Sequence, residues 1–137
     1  MTIDIQTLAT ANLLIQLVLI GFLFEAVYLA RRGRAVRHCT IIRGALIVQI
    51  VSIVAIMLPS LLGYVENVPQ IPFLYPELLI HHILGLVLII IFAYINLEVG
   101  RVIRPRIKRK NVMRLALGVW LVALVLGINI YLTVYYA

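Results

Sequence analysis

The sequence predicts an all-α integral membrane protein, with four transmembrane helices in an antiparallel up-down bundle that forms one domain over residues 1–137. Three observations lead there. The chain is 64% hydrophobic and only 12% charged, about half the charge of a typical soluble domain (~25%). It contains four uncharged runs, Ile5–Phe24, Gly44–Val65, Leu78–Leu97 and Leu115–Ala137. Each is as long as the roughly 20 residues that cross a hydrocarbon layer about 30 Å thick. All twelve basic residues fall into two clusters between these runs.

The first helix is expected over about residues 8–30, ending in the basic turn Arg31-Arg32-Gly33-Arg34. The second runs from about 40 to 62, with Pro59 bending or ending its last turn. A loop over 64–76 follows, stiffened by Pro69, Pro72 and Pro76, with aromatics suited to the headgroup belt. The third helix is expected over about 77–100. Pro76-Glu77 suits its start, because proline is tolerated in a first turn and an acid complements the N-terminal dipole. A short basic connection broken by Pro105 leads to the fourth helix, about 112–135, which ends among Tyr131, Tyr135 and Tyr136.

Charge sets the expected orientation. Arg31, Arg32, Arg34, Arg37 and Arg43 form one cluster. Arg101, Arg104, Arg106, Lys108, Arg109, Lys110 and Arg114 form the other. Basic residues collect in cytoplasmic loops, so both connections are expected inside and both termini outside. Asp4, Glu66 and Glu77 fall on the outer side. The net charge of +7 does not point to nucleic acid, because the basic residues flank apolar spans and no aromatics interleave with them. The expected partners are membrane lipids, including anionic headgroups that attract such residues by about 1 kcal/mol each. Arg31, Arg32, Arg34, Arg104, Arg106, Lys108, Arg109 and Lys110 are the candidate contacts. The first residues carry no basic segment or cleavage site of a secretory signal. The single Cys39 excludes an intrachain disulfide and a cysteine-rich metal centre.

There is no phosphate-binding glycine loop, no serine–histidine–acid set and no paired catalytic carboxylates, so no catalytic residue is expected. The informative residues are the polar ones inside the spans, where burial in lipid is costly. His81 and His82 are expected on the third helix about one turn below the outer surface, and Asn96 shares a face with His82. One reading makes His81 and His82 a cofactor site, as haem or copper ligands or proton carriers. The other makes them interfacial polar contacts. His38 beside Cys39 is a second candidate metal ligand, or a contact to a helix end. His38 and His82 should lie near opposite membrane faces, so they are not ligands of one site. Asn12 and Gln16 on the first helix and Asn129 and Thr133 on the fourth could join the histidines in one outer polar cluster contacting partners. Gln49 and Ser52 are expected to be packing contacts. Glu25 and Glu98 should pair with nearby arginines or snorkel, the alternative being a proton-entry carboxylate, and Gly21, Gly85, Gly118 and Gly127 should permit close helix approach.

The segments ANLLIQLVLI, ARRGRAVRHCTIIRGALIVQIVSIVAIMLPS, LLIHHILGLVLIIIFAYIN and RKNVMRLALGVWLVALVLGINIYL resemble a small four-helix membrane family of prokaryotes. This family, carried as a domain of unknown function, includes CtaM-like proteins needed to make active haem-copper cytochrome oxidase in some bacteria. The resemblance covers about Ala11 to Leu132. It aligns His38, preceded by Arg37, with the family histidine at the start of helix two, and His81 or His82 with that of helix three. Trp120, Gly127 and Tyr131 match its tryptophan and Gly-x-x-x-Tyr close. A further family histidine, in a pattern like His-basic-basic-x-Met-Arg, is replaced here by Arg109, which cannot ligate a metal. The resemblance implies a non-catalytic accessory or assembly subunit of a haem-copper oxidase in a prokaryotic cell membrane, packed against larger subunits, with no cofactor of its own. The alternatives are a redox subunit binding haem b or quinone, and a structural subunit of another, copper-dependent, membrane oxidase.

Overall fold

The computed structural model describes residues 5–59, 61–62, 74–104 and 106–136. Asp4, Glu66, the outer-loop prolines 69 and 72, and Pro105 lie outside the described residues. The described chain is all-α. Its long helices are α1 (Ile5–Arg31), α2 (Ala35–Ser52), α3 (Leu74–Val99) and α4 (Arg109–Tyr136). A π-helical turn, Ile53–Met57, extends α2. Among the described residues, four spans are long and apolar enough to cross a membrane, the shortest being Ala35–Met57 at 23 residues, about 35 Å. This is the architecture of a multi-pass membrane protein.

Three helices begin earlier than the uncharged runs suggest. α2 starts at Ala35 rather than near residue 40, and α4 at Arg109 rather than near 112. Arginine and lysine are good helix formers and can extend their charges to water, so the basic flanks remain helical. α3 starts at Leu74, which puts Pro76 in the first turn, where its missing N–H costs nothing.

By contact the chain divides into two compact units, Met1–Gln70 and Ile71–Ala137. Each is an antiparallel helical hairpin, α1 on α2 and α3 on α4. In the first, Asn12 meets Ser52, Gln16 meets Gln49, and Ala26 meets His38. In the second, His81 meets Ala123, Phe92 meets Trp120, and Glu98 meets Arg109. The buried or contacting positions recur three and four residues apart, as in 12-16-19-23-26 and 74-78-81-85-88-92. That 3.5-residue spacing is the knobs-into-holes pattern of helices packed side by side. Elsewhere the helices present large apolar side chains, such as Leu14, Val18, Ile47, Val51, Leu86, Ile90 and Val125, all exposed.

Both hairpins turn in the same way. After α1, the Gly33 N–H donates to Ala30 O and the Arg34 N–H to Leu29 O, with Gly33 at φ 72°. After α3, the Arg101 N–H donates to Glu98 O and the Val102 N–H to Leu97 O, with Arg101 at φ 59°. Each is a Schellman cap around one left-handed residue. In the second hairpin that residue is arginine, although Gly100 directly precedes it.

The π turn has a local cause. Pro59 has no N–H and its ring crowds the carbonyl four residues back. The preceding turn is widened, with the Leu58 N–H donating to Ile53 O instead of Val54 O.

Candidate functional site

Within each hairpin, polar residues of the spans form defined contacts. In the first, Ser52 Oγ donates to Asn12 Oδ1 at 2.5 Å and Gln16 Nε2 donates to Gln49 Oε1 at 2.8 Å. Gln49 and Ser52 are buried. Asn12 and Gln16 thus bond across the first hairpin to Ser52 and Gln49 on α2. The signal was available: an antiparallel hairpin turning at Arg32-Gly33 puts residue 12 opposite 52 and residue 16 opposite 49.

In the second hairpin, His81 Nδ1 lies 2.9 Å from Ala123 O on α4. A carbonyl only accepts, so Nδ1 carries the proton. The ring rests over Gly127, where a Cβ would come within 2.9 Å of His81 Cε1. Of the glycines expected to permit close approach, Gly127 does so within its hairpin; among the described residues a Cβ at Gly21, Gly85 or Gly118 would meet nothing within 4 Å. His82 donates Nδ1–H within its own helix, to Leu78 O at 2.7 Å, and stands edge-on to His81 with ring centroids 5.4 Å apart. Its Nε2 has no protein partner among the described residues, and it is half-buried beside the exposed Leu79, Ile83 and Leu86. With α3 beginning at Leu74, the histidines lie about two turns inside the helix. Asn96 is exposed and donates to Phe92 O. Asn129 donates to Glu77 Oε1 at 2.7 Å. Thr133 is half-buried on the same end of α4.

His38 sits beside the first basic connection, its Nδ1–H donating to Ala26 O at 2.8 Å. In all three histidines Nδ1 therefore carries a proton, which leaves Nε2 as the acceptor or ligand atom of the neutral ring. Among the described residues, no three histidine, cysteine or carboxylate side chains are grouped so as to hold a metal ion.

At the other end of the second hairpin, Arg109 Nε and a terminal guanidinium nitrogen both donate to Glu98 Oε1, at 3.0 and 2.9 Å. The Glu98 side chain is 3% exposed and that of Arg109 50%. Glu98 Oε2 is buried and has no hydrogen-bond partner among the described residues. Each charge opposes the dipole of its own helix end, and pairing offsets both. Glu25 is exposed and makes no ion pair among the described residues. Arg31, Arg32, Arg34, Arg104, Arg106, Lys108 and Lys110 are exposed along the two connections, with Arg32 stacked on Tyr28.

No family model, curated protein or solved structure matches the chain.

Proposed function

We propose that this protein is a non-catalytic accessory or assembly subunit of a larger respiratory membrane complex, a haem-copper terminal oxidase by preference, in a prokaryotic cell membrane. The observation that carries the reading is His82. His81 is held across its hairpin to Ala123 O on α4, whereas His82 is bonded only within α3 and stands beside the exposed Leu79, Ile83 and Leu86. A ring nitrogen facing hydrocarbon calls for a donor from outside its own hairpin, which a partner subunit would supply. The resemblance to CtaM-like proteins supports the same role and suggests the oxidase.

The reading places both basic connections in the cytoplasm and both termini outside, on the strength of the basic clusters. Anionic headgroups are then the lipid partners of those connections, and nucleic acid is not a partner. The second reading, a redox subunit binding haem b, copper or quinone, draws on the fixed Nδ1–H tautomers, which suit Nε2 ligation.

The test is capture of partner subunits from native membranes by the tagged chain. His82→Ala should release the partner while leaving the chain folded and inserted. His81→Ala should lower thermal stability and retain the partner. Full capture by His82→Ala would remove the support for this site.

A further inference from the structure

The turn after α3 places an arginine where the backbone favours glycine. Arg101 is left-handed at φ 59°, and the matching position of the first hairpin is Gly33 at φ 72°. A left-handed backbone is strained for any residue with a Cβ. The turn itself therefore gives no reason for a side chain at 101, and what arginine adds is its charge.

The surroundings give that charge a use. Arg101, Arg104, Arg106, Lys108 and Lys110 are all exposed, and none makes an ion pair among the described residues. The nearby carboxylate, Glu98, is buried and already held by Arg109, so it does not compete for them. The connection joins the ends of two membrane-length helices, which puts it at the level where lipid phosphates lie. We infer that Arg101, with its basic neighbours, binds the phosphate of an anionic lipid headgroup. This rests on the membrane reading and the proposed lipid contact, and is independent of the respiratory role.

Arg101→Gly separates charge from backbone, because glycine relieves the turn. The full chain in neutral detergent micelles is titrated with phosphatidylglycerol, with phosphatidylcholine as control, and its thermal unfolding midpoint is followed. Phosphatidylglycerol should raise the wild-type midpoint more than phosphatidylcholine does. Arg101→Gly should unfold no earlier than wild type without lipid, yet need about fivefold more phosphatidylglycerol for half its effect, the equivalent of one basic residue near a charged surface. An unchanged half-saturation in Arg101→Gly would overturn the role of Arg101 while leaving the lipid contact standing. Equal stabilisation of wild type by both lipids would remove the lipid contact itself. Stabilisation by inorganic phosphate or polyglutamate equal to that by phosphatidylglycerol would assign the patch to a free anion or an acidic protein segment, and would also overturn the proposal.

Discussion

His81 and Gly127 form a fitted contact across the second hairpin: the imidazole occupies the space a side chain at 127 would fill, with Cε1 only 2.9 Å from where a Cβ would stand. Gly127→Ala should displace the ring and strain its hydrogen bond to Ala123 O. The expected loss is about 1–3 kcal/mol, typical of overpacking. Adding His81→Ala should recover part of it, since the methyl would then have room. Simple additivity in a thermal-unfolding cycle would show that the two residues do not interact.

The Glu98–Arg109 pair should respond unequally to truncation. Arg109→Ala leaves a buried carboxylate without its counter-charge, a loss of about 3–5 kcal/mol. Glu98→Ala leaves a half-exposed guanidinium that water can solvate, and should cost much less. Unfolding midpoints of the two variants decide this. Equal losses, or the reverse order, would mean that Glu98 is solvated.

The Gln16–Gln49 bond should be a modest contributor. Interhelical hydrogen bonds in membranes average about 0.6 kcal/mol and rarely exceed about 1.7. A double-mutant cycle with Gln16→Ala and Gln49→Ala should return a coupling in that range. A coupling of zero would mean that the two amides do not bond in the membrane.

The four helices were legible because length and absence of charge are strong signals. Their starts were less so: a charge-free run marks hydrocarbon, not helix, and Arg37 and Arg109 continue the helix beyond it. The pairing of Glu98 with an arginine was foreseen, though not its burial, which depends on packing around the turn. Gly100 drew the expected end of α3 to itself, yet the left-handed position falls one residue later, at Arg101. The polar partners across the first hairpin depend on its register as well as on helix faces. A shared face put Asn12 and Gln16 together, and the hairpin geometry gives them Ser52 and Gln49 as partners. The distinction between His81, held against α4, and His82, bonded only within α3, depends on hydrogen-bond partners that spacing does not encode.

The most direct test of the proposed role is isolation of the tagged chain from native membranes in mild detergent, with subunit composition and visible absorption recorded before and after partners are stripped away. The account predicts co-isolation in fixed ratio with the subunits of a haem-containing oxidase, whose Soret band stays with the partners when this chain is separated. A chain that isolates alone, or that retains a Soret band of its own lost in His82→Ala, would contradict it.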